Sequence, residues 1–229
     1  MAGALMIKTL LIDLDDTVYP PNNGIWELLG ERIVVYMRDV VGIPPADIIT
    51  IREHFLEKYG STVIGLREEY HADLHDYLAY VHDEDLSAYL QPDPALRRAL
   101  LALPQEKWIF TNASKGHAEQ VLGLLGIRDL FMGIIDLADT DPYCKPHRRA
   151  FEIALEKANH ADPRACLFID DRQSNLDNAR ALGLHTLLVC ADPVSCGHPR
   201  IGNLSCLPAF MANFDIEKNY DTAGPDGRL

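Results

Sequence analysis

The sequence predicts an α/β fold: a parallel sheet with helices on both faces, interrupted by an inserted all-helical domain. Two features carry this expectation. From Pro94 onward, helical and strand patterns alternate strictly, the arrangement that builds a parallel sheet covered by helices. Before that, a single apolar strand is followed by a long stretch with helical periodicity alone, so the helical block reads as an insertion after the first strand.

The first strand is the run LLIDLDDTVYPP, which buries Leu10, Leu11, Ile12 and Leu14 and then meets Asp13, Asp15 and Asp16. In GIWELLGERIVVYMRDVVG, residues Ile25, Leu28, Leu29, Ile33, Tyr36, Met37 and Val40 share one helical face. A second helix is predicted over PPADIITIREHFLEKYG, with Pro44 and Pro45 near its start and Gly60 ending it. The segment LREEYHADLHDYLAYVHD reads as helix with an interruption near Asp73. The alternating part follows as helix PALRRALLAL, strand KWIFT, helix KGHAEQVLGLLG, strand GIIDL, helix PHRRAFEIALEKA, strand ACLFID, helix SNLDNARALG and strand HTLLVC. Gly126 and Gly183 stand where helices of that series should stop. The expected division is a core of residues 1–17 and 94–210, a helical cap of 18–93 and a loose tail of 211–229 ending in NYDTAGPDGRL.

The chain has 229 residues, 48% hydrophobic and 24% charged, which suits a globular enzyme able to bury a core without staples. Its formal charge of −13 argues against a nucleic-acid or anionic-membrane partner, since phosphate backbones are gripped by clustered Lys and Arg. Cys144, Cys166, Cys190, Cys196 and Cys206 are odd in number and form no CxxC pair, so reduced, buried thiols are expected rather than a disulfide framework or zinc site. The opening MAGALMIKTLLIDLDD reaches acidic residues too soon for a signal-peptide core, and no apolar run approaches a membrane span. A cytoplasmic monomer or homodimer is the expectation.

In open parallel sheets ligands bind beyond the carboxyl ends of the strands. Those ends carry Asp13 and Asp15, then Thr111 and Asn112, then Asp170 and Asp171, with Lys145 in the loop after GIIDL. Side chains two apart at a strand end share a face, so Asp13 and Asp15 stand together while Leu14 turns into the core. Repulsion between two such carboxylates would raise one pKa strongly, suiting a nucleophile beside a general acid, and a divalent cation would relieve it. Hard oxygen ligands with positions left for water and phosphate suit Mg²⁺. Thr111, the backbone N–H groups after it, and Lys145 could hold a transferring phosphoryl group. Singly, each residue also has an ordinary use: Lys145 as a surface lysine before Pro146, Thr111 and Asn112 as a helix cap, Asp171 as the cap of a helix near Ser174. Jointly, at four strand ends in order, they make a catalytic set.

The four elements DLDDT from Asp13 to Thr17, IFTN with Thr111, CKP with Lys145, and FIDDRQSN with Asp170 and Asp171 resemble the signature of the haloacid dehalogenase-like (HAD) superfamily of hydrolases. That resemblance spans the core and implies a Rossmannoid sheet with a helical cap inserted after the first motif. It also implies roles: Asp13 as the nucleophile that forms an aspartyl-phosphate, Asp15 as the acid and then base, and Thr111 and Lys145 on the phosphoryl group. Mg²⁺ would be held by Asp13, the Asp15 carbonyl and Asp171, with Asp170 as a direct or water-mediated helper. DLDDTVYP with GIWELL, EKYGSTVIGLREEYH and FIDDRQSNLDNARALG look most like the pyrimidine 5′-nucleotidase group, which implies a nucleoside monophosphate as substrate. Tyr59, Thr62 and His82 are the cap candidates for contacts to the leaving group, with Asn112 and Arg172 as further substrate contacts. A broad sugar-phosphate or phosphoglycolate phosphatase shares every core residue, and a 2-haloacid dehalogenase shares the nucleophile but has no use for Asp15. A non-catalytic binding module on the same fold is opposed by the intact Asp13, Asp15, Lys145 and Asp171.

Overall fold

The computed structural model describes residues 6–159, 162–192 and 196–214; the end of the expected loose tail lies outside these. Six strands form one sheet: β1 (Thr9–Ile12), β2 (Glu106–Phe110), β3 (Gly133–Ile135), β4 (Cys166–Asp170), β5 (His185–Val189) and β6 (Arg200–Ile201). Their spatial order is β3-β2-β1-β4-β5-β6, every pairing is parallel, and Ile12 sits between Ile109 and Ile169. This is the doubly wound arrangement, in which the strand order reverses beside β1 and leaves a crevice there. Central β1 is buried at all four positions, which explains its unbroken apolar run.

The pleat divides the strands between two cores. Leu10, Ile12, Ile109, Leu167, Ile169 and Leu187 belong to one, while Leu11, Phe110, Ile135, Phe168 and Leu188 belong to the other. Phe110, Phe151 and Phe168 pack in the second core with ring centroids 5.2–6.0 Å apart. The core helices are α5 (Pro94–Leu101), α6 (Lys115–Leu124), α7 (Leu137–Thr140), α8 (Arg148–Lys157), α9 (Gln173–Ala181) and α10 (Leu207–Ala212), following the cap helices α1 to α4. Helix α5 opens with Pro94 after the Asp93 side chain, which accepts from the N–H groups of Ala95 and Leu96. Gly126 and Gly183 adopt positive φ at the turns after α6 and α9, as the sequence predicts. Strand β6 and helices α7 and α10 are additions to the predicted series, and α10 crosses the boundary drawn at residue 210.

Between β1 and β2 the chain is helical: α1 (Ile25–Asp39), α2 (Ile48–Tyr59), α3 (Thr62–Tyr70) and α4 (Leu74–Val81). The second helix begins at Ile48 after Asp47, not at the prolines, whose N–H-free backbone forms the preceding turn. Gly60 ends it at φ 74. The predicted interruption near Asp73 is real: His71 takes a left-handed conformation after α3, and Asp73 caps α4 by accepting from Asp76 N–H. Tyr36 of α1 meets Tyr77 of α4 edge to face at 5.1 Å.

Candidate active site

The crevice beside β1 opens into a cavity of about 440 Å³, walled by the strand ends below and the four-helix block above. Asp13, Asp15, Thr111, Asn112, Lys145, Asp171, Arg172, Thr62 and His82 all line it. Asp13 follows β1 directly, its N–H donating to Ile169 O at 2.9 Å. Lys145 is 2% exposed and donates from Nζ to Asp13 Oδ1 at 2.5 Å and Asp170 Oδ2 at 2.9 Å. The same ammonium stands 5.2 Å from the Phe110 ring centroid and 5.5 Å from that of Phe168, so aromatic faces support it from the core side. Thr17 Oγ1 donates to Asp13 Oδ2 at 3.2 Å.

Asp170 is fully buried and accepts from Lys145, from Asn175 Nδ2 with both oxygens, and from Arg172 N–H. Asp171 is the member of the pair that faces the cavity. Burial foremost, together with the neighbouring Asp170 charge, lifts its pKa to about 6. Burial likewise raises Asp13 well above the carboxylate range, against the opposing pull of Lys145. Asp15 goes the other way: burial works to raise it, but the His117 charge and hydrogen bonds from His117 and Tyr19 outweigh that and leave it lowered. The sequence predicts one strongly raised member of the Asp13–Asp15 pair through their mutual repulsion; Asp13 is the raised one, but through burial and the Asp170 and Asp171 charges, which outweigh Lys145.

Ligand atoms of Asp13, Asp170 and Asp171 lie within 4.8 Å of one another. Three carboxyl groups share one ammonium, so their formal negative charge exceeds what Lys145 balances, and Asp13 and Asp171 are held raised. An all-oxygen donor set with that residual charge fits a hard divalent cation.

Thr111 is buried, and its hydroxyl accepts from Ala113 N–H at 3.0 Å, turning the chain toward α6. Asn112 lines the cavity, yet its amide is held elsewhere: Nδ2 donates to Lys145 O and Oδ1 accepts from Lys145 N–H, both at 2.9 Å. The amide expected on substrate therefore clamps the Lys145 peptide. Tyr59 is a correction of another kind. It does not line the cavity; its hydroxyl donates to Glu69 Oε1 at 2.9 Å and its ring lies 4.7 Å from Lys58 Nζ, on the exposed side of the cap. Arg172 is exposed at the rim.

Several residues around the site escape a sequence reading. His117 Nε2 lies 2.8 Å from Asp15 Oδ1, and Tyr19 Oη donates to the same oxygen at 2.5 Å. His82 stacks against His117 at 4.7 Å between centroids, and its Nδ1 is buried without a hydrogen-bond partner. On the roof, half-buried Arg52 forms no ion pair among the described residues and stands with Tyr77, Leu29, Ile33, Val63 and Val81. Tyr19 has one available signal, its place four residues after Asp15; His117 has none, since its partner is 102 residues away.

Cap and core also meet along the loop that carries Lys145. Arg67 of α3 forms an ion pair with Asp141 and donates to Pro142 O at 3.1 Å. Cys144 Sγ donates to Tyr59 O at 3.6 Å, and a Cβ at Gly60 would stand 3.0 Å from Pro146 Cδ.

A doubly wound core, a helical insertion after the first strand, and an acidic strand-end cluster clasped by a buried lysine define a hydrolase of the haloacid dehalogenase class. A family model for haloacid dehalogenase-like hydrolases matches residues 7–183, and the chain belongs to that family. Among curated proteins it is similar to Phosphate metabolism protein 8 of Saccharomyces cerevisiae, at 29% identity over 191 residues. That match covers 77% of this chain and 60% of the relative, so the chain spans well under two thirds of the yeast protein. Among solved structures it shares its fold with L-2-haloacid dehalogenase of Xanthobacter autotrophicus bearing covalently bound chloropropionic acid, at TM-score 0.58 and 17% identity, covering 92% of this chain and 100% of that one. The HAD-hydrolase YfnB of Bacillus subtilis, bound to magnesium, gives TM-score 0.58 at 20% identity, covering 91% of this chain and 100% of that one. Among the described residues, no helix is long and apolar enough to cross a membrane.

Proposed function

We propose that this hydrolase is a Mg²⁺-dependent phosphatase acting on phosphate monoesters, with nucleoside monophosphates as its substrates. The observation that carries the reading is Asp15: a second carboxyl group beside Asp13, lining the cavity with one oxygen held and the other open, is what an oxygen leaving group needs and a departing halide does not. Asp13 attacks phosphorus, the ester P–O bond breaks, and Asp15, which takes up a proton as the anionic phosphate enters beside it, gives that proton to the departing oxygen. Asp15 then takes a proton from water as that water attacks the aspartyl-phosphate, releasing inorganic phosphate and restoring Asp13. Lys145 offsets the charge on Asp13 and Asp170 throughout, and the Asn112 clamp holds the lysine loop in place. Mg²⁺, held by the Asp13 and Asp171 carboxylates and the Asp15 carbonyl with Asp170 behind them, would neutralise negative charge on the phosphoryl oxygens.

The largely apolar roof with Arg52, Thr62 and His82 among its polar groups supports a leaving group with a flat apolar body and hydrogen-bonding edges, as a nucleoside has. The test is phosphate release across nucleoside monophosphates, sugar phosphates and phosphoglycolate with and without Mg²⁺. UMP and CMP should lead, only with metal, and Asp13→Asn should abolish turnover. Preference for phosphoglycolate would replace the nucleotidase reading, and turnover by Asp13→Asn would overturn the covalent mechanism.

A further inference from the structure

Either oxygen of an aspartic acid can carry its proton, and the terminal torsion of the side chain is broad and roughly two-fold. A general acid free to flip would present its proton to the leaving oxygen only part of the time. In this protein the two oxygens of Asp15 are not equivalent. Oδ1 accepts from Tyr19 Oη at 2.5 Å and faces His117 Nε2 at 2.8 Å, whereas Oδ2 takes no hydrogen bond among the described residues. Both donors are locked: Tyr19 is 3% exposed in the segment leading into the cap, and His117 is 2% exposed in the first turn of α6, where Ser114 Oγ accepts from its N–H. The His82 ring from the cap lies tilted against His117, with centroids 4.7 Å apart.

We propose that Tyr19 and His117 are positioning residues that fix the carboxyl plane of Asp15 by holding Oδ1 from two separate elements, leaving Oδ2 as the oxygen that serves the leaving group. Tyr19 Oη donates to Oδ1 and His117 Nε2 stands against the same oxygen, so Oδ2 is the one left open to the cavity. The two residues touch neither phosphorus nor the leaving group. They act through Asp15 by fixing the plane of its carboxyl group, which is how a hydrogen bond turns geometry into rate.

This inference rests on the phosphatase reading, and the test separates the two. Wild type, Tyr19→Phe, His117→Ala and His117→Gln are compared by kcat/KM on aryl phosphates graded in leaving-group acidity, from p-nitrophenyl to phenyl phosphate. kcat/KM reports the steps through departure of the leaving oxygen, where the acid works. Tyr19→Phe and His117→Ala should steepen the dependence on leaving group, losing about 10²-fold on phenyl phosphate but under about 3-fold on p-nitrophenyl phosphate, which departs without needing a proton. His117→Gln, whose amide N–H can still reach Oδ1, should recover most of the loss. A parallel fall on every ester, no fall at all, or a glutamine variant as impaired as the alanine one would overturn the positioning role. A wild-type protein inert on all of these esters would instead overturn the phosphatase reading, and the proposal with it.

Discussion

Lys145 shows how a buried charge is made tolerable. Its ammonium has left water, which burial alone would punish by lowering its pKa, but Asp13 and Asp170 hold it raised and the faces of Phe110 and Phe168 lie behind it. His82 is the contrasting case, a group that sheds its charge. Burial, seconded by the His117 charge, brings its pKa down from 6.5 to about 3, so the ring is neutral in the folded protein. As pH falls through 6.5 the unfolded chain takes up this proton and the folded one does not, so the residue contributes a loss of stability on acidification. We expect His82→Gln to remove roughly 1–2 kcal/mol of the destabilisation between pH 7 and pH 5. Urea midpoints of both proteins at the two pH values check this, and an unchanged difference between them would show that the ring is protonated in the folded state.

At the scale of elements, helices α2 and α3 owe their close approach to one residue. A Cβ at Gly65 would stand 2.2 Å from Phe55 Cγ and 2.6 Å from its Cβ, and Phe55 is fully buried. The clash is with the root of the ring rather than its tip, so the helices themselves would have to part. Gly65→Ala gains up to about 1 kcal/mol of helix propensity, yet overpacking should cost about 1–3 kcal/mol and give a net loss in a denaturant titration. A more stable variant would mean that the helix pair is loosely packed. This contact lies outside any reading of the sequence, since a glycine inside a helical pattern looks like a simple weakness. Long helices with full periodicity, α1 among them, are visible in the residues alone, and β1 shows as an unbroken apolar run. The four-residue α7 and two-residue β6 carry too few positions to show a period. The same boundary runs through the site. Asp13, Asp15, Lys145 and Asp171 are legible because strand ends announce them, whereas Tyr59 is misplaced because helical periodicity alone does not say which half-buried face looks inward. Asn112 reads as a free amide until the return of the chain brings the Lys145 backbone within its reach.

For the whole molecule, the carboxylate cluster is where a bound cation would bear on stability. A ligand that binds only the folded chain stabilises it by mass action, and the three carboxyl groups at the ends of β1 and β4 offer a place for one. At one hundred times its dissociation constant Mg²⁺ should add about 2.7 kcal/mol, seen as a rise in Tm over the chelated protein. Asp171→Asn should reduce that rise strongly; an undiminished one would place the ion elsewhere.

The loop from Asp141 to Pro146 presents the ammonium to Asp13 on one side and receives Arg67, Tyr59 and Gly60 of the cap on the other. Any movement of the helical block away from the core would have to break these contacts to the strip of backbone on which the counter-ion of Asp13 is mounted. Access to the cavity and the charge balance at Asp13 would therefore share a single mechanical part.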